Sequence, residues 1–179
     1  RILVDRFAPS RSQRRILNRN RELVAVETAP RATEEQFEIF TAYQESRHSG
    51  GEMEKMDFRD YRFLIEDTPV ETSLVEFRQP GQGLRAACLI DRVKNGLSAV
   101  YSFFDPEWRQ RSLGTQMILW MIDHARSQGL GYLYLGFWID GCSKMSYKAN
   151  FRPLERHTPR GWELLLSQSE ESDPASTVR

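Results

Sequence analysis

The sequence predicts a mixed α/β (α+β) fold in which one mostly antiparallel sheet is flanked by helices. Two apolar runs, residues 74–77 and 84–93, are separated by Pro80-Gly81, which is the signature of a hairpin. The turn at Asn95-Gly96 then leads into a third strand over residues 97–104. These three strands predict the antiparallel part of the sheet.

A helix and a buried strand complete this pattern. Residues 113–127 carry apolar side chains at helical spacing and are closed by Gly129, and residues 133–139 then form an aromatic and aliphatic run. A strand, a helix and a second buried strand in this order predict that the two strands run parallel. The sheet is therefore expected to be mixed.

Local signals predict the remaining elements. Ser10 or Ser12 is suited to cap a helix after Pro9, and residues 33–36 form a capping-box pattern at the start of another helix. The predicted elements are strands at residues 2–7 and 23–28, helices at 10–20, 34–48 and 58–66, and a last strand at 162–166.

Composition favours one globular domain. The 179 residues are 40% hydrophobic, so we expect a single domain over residues 1–166 and a polar, disordered tail over residues 167–179. The sequence contains no run of about 18 apolar residues and no signal sequence, so we expect a soluble cytoplasmic protein that does not enter membranes. The chain does not begin with methionine, and we expect its natural N-terminus to lie upstream.

The cysteines and the charge distribution limit the kinds of binding site that the chain can form. Cys88 and Cys142 form neither a CxxC pair nor a disulfide framework, and we predict no metal site. Because 25 basic side chains balance 25 acidic ones, binding to nucleic acid must use local patches. Such patches exist, since residues 1–21 hold seven arginines against one acid, and residues 144–160 hold five basic side chains against one acid.

The segment before the predicted helix 113–127 carries a phosphate-binding pattern. Residues 99–115 read AVYSFFDPEWRQRSLGT. They resemble the strand, the Pro-Glu-aromatic-Arg turn and the (Arg/Gln)-x-x-Gly-x-(Gly/Ala) loop of N-acetyltransferases, with Ser112 where a glycine normally sits. The resemblance implies the acyl-CoA N-acyltransferase (GNAT-like) fold and a nucleotide-bearing acyl donor, because amides at such a helix start point at phosphate oxygens. An ordinary polar helix cap is the alternative for the candidates Arg109, Arg111, Ser112, Gly114 and Thr115.

Seven segments extend the resemblance from residue 9 to residue 153. In them the chain resembles the C-terminal catalytic region of the arginyl-tRNA–protein transferase family, particularly its bacterial branch of aspartate/glutamate leucyltransferases. The family also carries an upstream cysteine-rich segment that holds a metal or iron–sulfur centre, and this sequence contains none of it. The segments are PSRSQRR at 9–15, Tyr43-x-x-x-Arg47-His48, DTPV at 67–70, LSAVYSFFDP at 97–106, RSLGT at 111–115, YLGFW at 134–138, and KMSYKANFRP at 144–153.

The resemblance implies an enzyme that moves an amino acid from aminoacyl-tRNA to a protein beginning with Asp or Glu, marking that protein for N-end rule degradation. Since the donor ester is already activated, the enzyme mainly has to position the amine and stabilise the oxyanion. Aminoacyl-tRNA is then the co-substrate, and no cofactor is expected in this chain itself. Leucine is the preferred residue because the match is closer to the compact bacterial form, and arginine stays open.

Basic side chains are the candidates for the tRNA. Three arginines follow a helix start and place at least two guanidinium groups on one face, which suits phosphates, although a solvated face is the alternative. Two lysines four residues apart would point the same way in a helix, toward the acceptor end or the terminal adenosine, and a tyrosine beside them would stack on adenine. These residues are Arg11, Arg14, Arg15, Lys144, Lys148 and Tyr147.

The acidic N-terminal side chain of the acceptor needs a cation, preferably the planar fork of an arginine. Arg78 and Arg152 are the candidates, and Trp138 is a further acceptor-binding candidate. Glu76 and Arg78 alternate onto one face of their strand, so Glu76 would hold the ammonium group while Arg78 meets the carboxylate. A simple intrastrand ion pair is the alternative.

The α-amino group of the acceptor has a pKa near 8, so a fraction of it is already neutral at neutral pH. A weak general base is therefore enough to take its proton. Asp105, at the strand end, and His48 are the candidates, and either would equally serve as a cap. Two other functions also stay open: an acetyl-CoA-dependent N-acetyltransferase and a non-catalytic tRNA-binding module. The arginine density of residues 1–21 favours a polyanion larger than coenzyme A.

Overall fold

The computed structural model of the chain describes residues 1–47, 50–139, 141–143 and 145–165. The strands of its main sheet are β1 (Ile2–Leu3), β2 (Val24–Thr28), β3 (Thr72–Gln79), β4 (Gly83–Val93), β5 (Gly96–Phe104) and β6 (Tyr132–Tyr134). They lie in the order β1-β6-β5-β4-β3-β2, and every neighbouring pair is antiparallel except β5 and β6. This topology confirms the predicted α+β fold with its mixed, mostly antiparallel sheet.

Helices flank the sheet, and the first two begin at the predicted caps. The Ser10 hydroxyl accepts a hydrogen bond from the Gln13 amide, and the Gln13 side chain accepts one from the Ser10 amide. Thr33 and Gln36 form the same reciprocal pair. No helix of the described residues is both long and apolar enough to cross a bilayer. The helices are α1 (Arg11–Arg19), α2 (Glu34–Arg47), α3 (Phe58–Glu66) and α4 (Leu113–Ser127).

The two faces of the sheet are covered by different helices. Phe40 of α2 and Tyr61 of α3 pack against Phe103 on one face. On the other face, α4 packs its apolar side against Phe104 and its neighbours. Because side chains alternate along a strand, β5 contributes to both cores. The C-terminal end of β5 is therefore enclosed between α2 and α4.

The predicted strand over residues 2–7 is wrong beyond Leu3. Val4–Arg6 form a short 3-10 turn instead. The guanidinium group of Arg126 in α4 donates to the carbonyl oxygens of Val4 (2.7 Å) and Phe7 (2.9 Å). This long-range contact satisfies backbone groups that a longer strand would have paired.

The predicted buried strand over residues 133–139 is also too long. β6 ends at Tyr134, and Gly136 has a φ of 77°, which an extended strand does not accommodate. Phe137 is 85% exposed and Ile139 is 57% exposed. Beyond the buried Leu135, the apolar side chains of Phe137 and Ile139 therefore lie at the surface rather than in the core.

A separate hairpin follows, formed by β7 (Glu155–Thr158) and β8 (Gly161–Leu164). The predicted last strand overlaps β8, but its partner β7 was missed because its sequence, Glu-Arg-His-Thr, has no apolar alternation. His48, Lys144 and the tail at 167–179 lie outside the described residues, so the predictions made for them stay predictions.

Candidate active site

A β-bulge interrupts the pairing of β4 with β5. The register shifts by one residue next to Leu89, so that Val100 is an extra residue on β5. The parallel pairing of β5 with β6 ends at Ser98 opposite Tyr134. Beyond Ser98, β5 pairs with β4 alone, and the sheet opens between β5 and β6 next to the bulge.

A short 3-10 turn, Pro106–Arg111, joins β5 to α4. It begins at Asp105, whose carboxylate accepts a hydrogen bond from the Glu107 amide (3.0 Å). It ends at Ser112, which has φ 57° and ψ 46° and is the only non-glycine residue of the described chain with a positive φ. The position that the resemblance marks for glycine thus has a conformation that glycine adopts without strain.

The start of α4 carries amides without a partner inside the helix. The first hydrogen bond within the helix runs from the Gln116 amide to the Ser112 carbonyl (3.1 Å). The amides of residues 113–115 come before it and therefore have no acceptor inside the helix. A Cβ atom added at Gly114 would lie 3.9 Å from the Phe104 ring, an ordinary contact, so packing alone does not require glycine here. These amides and the positive end of the helix dipole suit a phosphate group or an oxyanion.

Replacements at Ser112 test its backbone conformation. Ser112→Val is expected to lower the free energy of unfolding by about 1–2 kcal/mol, because a β-branched residue resists the left-handed region. Ser112→Gly is expected to retain the parent's stability. Urea titration of the three proteins measures these differences, and equal stability of the valine variant and the parent would contradict the conformation described.

Two guanidinium groups stack on Trp108 in the same turn. The distance to the ring centroid is 4.8 Å for Arg85 and 4.2 Å for Arg111. Arg85 forms an ion pair with Asp105 (3.0 Å), and Arg111 forms one with Glu22. The side chains of Asp105 and Arg111 therefore have intramolecular partners that fix the turn in place.

A cavity of about 410 Å³ opens beside this turn. Both Arg109 and Arg47 line it, and the Arg47 guanidinium lies 5.7 Å from the Phe104 ring centroid. The sequence placed Arg47 in a matching segment but assigned it no role. Two cations beside one cavity suit an anionic ligand. The lining residues are Tyr43, Ser46, Arg47, Phe104, Pro106, Arg109 and Gln110.

α1 connects this turn with the second basic zone. Gln13 donates to the carbonyl oxygen of Asn150 (3.0 Å), and Arg19 donates to that of Gln110 (2.6 Å). The three predicted arginines of α1, namely Arg11, Arg14 and Arg15, are all exposed. The helix that carries these arginines is therefore hydrogen-bonded to both segments that were predicted to bind the donor.

Tyr147 and Lys148 lie on a 3-10 turn, Ser146–Asn150. Lys148 is 8% exposed, its ammonium group donates to the Phe137 carbonyl (2.7 Å), and burial lowers its pKa. Burial raises the pKa of Tyr147, and the nearby Tyr43 adds to this effect.

A second cavity, of about 640 Å³, lies between the end of β6 and the β7–β8 hairpin. Lys148 and Trp138 both line it. Arg152 donates to the carbonyl oxygen of Leu165, which also lines this cavity. The acceptor candidates Arg152 and Trp138 are thus close to one cavity, and Arg78 is not among its lining residues.

Arg78 and Glu76 form a network with α2. Arg78 donates to Glu76 (2.7 Å) and to both oxygens of Glu35 (2.6 and 3.3 Å), which raises the pKa of Arg78 and lowers that of Glu35. Gln36 donates to the other oxygen of Glu76 (2.7 Å), which is 7% exposed. The intrastrand ion pair is therefore present, and Glu35 is a partner that the sequence did not indicate.

The described residues offer no metal ligand set, and the cysteine of the central sheet is buried. Cys88 is buried in β4, and burial raises the pKa of its thiol. No group of three or more His, Cys, Asp and Glu side chains could hold a metal ion in this part of the chain. We therefore assign no metal-binding role to these residues.

Solved structures share the fold. The structure of L-PGS from Bacillus licheniformis matches with a TM-score of 0.60 at 15% identity, over 86% of this chain and 55% of that chain. A possible acetyltransferase from Clostridium difficile 630 matches with a TM-score of 0.51 at 10% identity, over 71% of this chain and 88% of that chain. These likenesses confirm the GNAT-like acyltransferase fold and concern the fold alone.

Sequence relatives identify the family. The aspartate/glutamate leucyltransferase of Paramagnetospirillum magneticum is 52% identical over 162 residues, which cover 90% of this chain and 66% of the relative. The enzyme of the same name from Gluconacetobacter diazotrophicus is 52% identical over 155 residues, or 87% of this chain and 60% of the relative. The chain thus spans slightly less than two thirds of these relatives. Residues 35–158 match the family described as Arginine-tRNA-protein transferase, C terminus. The chain therefore belongs to the arginine-tRNA-protein transferase family, as its motifs implied.

Proposed function

We propose that this protein transfers an amino acid, preferably leucine, from aminoacyl-tRNA to the α-amino group of proteins that begin with Asp or Glu. The observation that carries the proposal is that one basic helix is hydrogen-bonded to both segments predicted to bind the donor. α1 bonds through Arg19 to the turn that precedes α4 and through Gln13 to the turn of Lys148. The name of the relatives, aspartate/glutamate leucyltransferase, supplies the donor residue and the acceptor class. Modification of this kind would mark the acceptor for N-end rule degradation.

The donor would bind mainly through its phosphates. The exposed arginines of α1 would contact the tRNA backbone and position it without reading its sequence. The amides of residues 113–115 would meet a phosphate or the developing oxyanion at the acceptor end. Lys148 lines the larger cavity, and its ammonium group would have to leave the Phe137 carbonyl to meet the terminal nucleotide. Lys144, outside the described residues, would also face that nucleotide, and Tyr147 would stack on its base.

The chemistry needs little beyond positioning. The amine attacks an ester that is already activated, so orientation and stabilisation of the oxyanion supply most of the rate enhancement. The proton leaves an amine whose pKa lies near 8, so a weak base suffices. Asp105 would have to release Arg85 and the Glu107 amide to act, so we favour water or His48, which lies outside the described residues, as the proton acceptor.

Several cations are available for the acceptor's acidic side chain. Arg78 is already compensated by Glu35 and Glu76, and a new carboxylate would have to displace one of them. Arg152 and Trp138 lie by the larger cavity. Arg47 and Arg109 line the smaller cavity and have no carboxylate partner among the described residues. The acceptor's carboxylate would bind there without displacing another carboxylate, so we favour the smaller cavity.

The proposal is tested with labelled leucyl-tRNA and three peptides that differ only in the first residue, Asp, Glu or Ala. Label is expected on the Asp and Glu peptides and not on the Ala peptide. Equal labelling of all three would contradict the acceptor assignment. Discharge of the tRNA that does not depend on peptide would contradict the transfer itself.

A further inference from the structure

The larger cavity, of about 640 Å³, lies where β5 and β6 separate. Ser98 and Tyr134 form the last parallel pair of these two strands, and both line the cavity. Leu135 and Gly136 continue its wall beyond the end of β6. Its volume is typical of pockets that bind a small molecule or one end of a larger ligand.

The walls of this cavity are mainly apolar and aromatic. Leu135 and Leu154 belong to the hydrophobic core and also line the cavity. Trp162 of β8 lines it too, and its ring meets that of Tyr134 edge to face, with 5.8 Å between the centroids. An aliphatic side chain that enters the cavity is therefore removed from water against apolar surface, which favours its binding.

The charges that line the cavity are mostly positive. Arg1, Lys148 and Arg156 line it, and Glu155 is the only carboxylate among the described lining residues. Arg1 donates to this carboxylate (2.7 Å), and both side chains are largely buried. The ammonium group of Lys148 donates to a backbone carbonyl, as described above. The one described carboxylate of the cavity is therefore already compensated.

A guanidinium group in this cavity would meet like charges. Burial lowers the pKa of Lys148, so these surroundings already disfavour a positive charge. A second cation beside the first adds repulsion, which costs more in a partly buried site than in water. The α-amino group of the donor is common to all aminoacyl esters, so it does not alter a comparison between them.

We propose that the larger cavity binds the amino-acid side chain of the aminoacyl-tRNA, and that its cations select an uncharged side chain such as that of leucine against arginine. This inference rests on the proposed function, to which it adds the site that distinguishes the two donors. Apolar contact favours leucine and charge repulsion disfavours arginine, so both contribute to the difference in binding free energy. The acceptor's carboxylate, assigned to the smaller cavity, does not compete for this space.

Binding of three charged RNAs tests the inference without any transfer. A minihelix ending in CCA carries leucine, citrulline or arginine at its 3′ end through a stable amide, so only the side chain differs. Citrulline has nearly the shape of arginine but no charge. The parent is expected to bind the leucyl and citrullyl forms about tenfold more tightly than the arginyl form. Calorimetry measures the dissociation constants, and equal affinities for the citrullyl and arginyl forms overturn the inference.

A carboxylate added to the wall locates the effect. Leu165 lines the cavity and is half-buried. Leu165→Glu is expected to reduce the preference for citrulline over arginine to about twofold, whereas Leu165→Gln, of nearly the same shape, is expected to keep it. An unchanged preference in Leu165→Glu overturns the assignment to this cavity. Should Leu165→Glu fail to fold, His157→Glu and His157→Gln make the same comparison at an exposed position of the cavity.

Kinetics separate this inference from the proposed function. One tRNA is charged with each of the three amino acids as an ester, and the acceptor is a peptide beginning with Asp. The parent's kcat/KM is expected to be about tenfold lower for arginine than for citrulline. Equal transfer of all three amino acids would overturn the inference and leave the proposed function intact. A binding preference without transfer of any of them would contradict the proposed function alone.

Discussion

Replacing Arg11, Arg14 and Arg15 together by alanine is expected to lower the affinity for leucyl-tRNA and to flatten its dependence on salt. All three side chains are exposed, and α1 is hydrogen-bonded to both turns of the candidate site. Each phosphate contact that is lost removes roughly one unit from the slope of log K against log salt, so the slope should fall by about two to three units. Fluorescence titration between about 50 and 200 mM salt measures it.

A matched control removes three arginines elsewhere. Arg31, Arg59 and Arg62 are exposed near α3, where the Ala32 amide bonds to Glu66 of that helix. Their replacement changes the net charge by the same amount and is expected to leave the slope almost unchanged. If the slope of log K against log salt falls equally in both triple variants, the effect comes from total charge, and the arginines of α1 do not bind the tRNA.

Arg78→Ala is expected to destabilise the fold by about 2–4 kcal/mol, because it leaves the buried Glu76 without its cation. Arg62→Ala removes an exposed pair with Glu66 and is expected to cost less than about 1 kcal/mol. Urea titration at neutral pH measures both. A loss for Arg78→Ala no larger than that of the control would show that the network is dispensable for folding, and Arg78 would then be free to bind the acceptor.

The stability difference between the parent and Arg78→Ala is expected to depend on pH. Arg78 lowers the pKa of Glu35 below its ordinary value of 4.5, so this carboxylate stabilises the fold above that pH. The contribution is lost as the pH falls through the lowered pKa of the folded state. The difference in stability between parent and Arg78→Ala should therefore shrink on acidification below about pH 4.5.

The sequence predicted those elements whose signals are local. The capping residues Ser10 and Thr33 set the starts of α1 and α2, and apolar spacing located α3 and α4. The strand predicted over residues 2–7 was too long because Arg126, more than a hundred positions away, donates hydrogen bonds to the carbonyl groups of Val4 and Phe7. The strand predicted over residues 133–139 was too long because Phe137 and Ile139 are exposed, which periodicity alone does not reveal.

The sequence predicted which basic residues belong to the candidate site, but it did not predict which carboxylates they pair with. The motif located the turn that ends at Ser112, and the arginines of α1 were recognised by their density. The partners Glu22 and Glu35 come from distant positions, so the sequence did not show that Arg111 and Arg78 are already compensated. Arg47 was given no role because its position beside Arg109 depends on how α2 packs against the turn after β5.

One measurement tests the central claim, that this protein transfers the amino acid of an aminoacyl-tRNA to an acidic N-terminus. A peptide beginning with Asp is incubated with the protein and an equimolar mixture of leucyl-tRNA, arginyl-tRNA and acetyl-CoA, and its mass and fragmentation pattern are recorded. We expect a single leucyl group on the N-terminal nitrogen. An acetylated peptide, or a peptide of unchanged mass, would contradict the account.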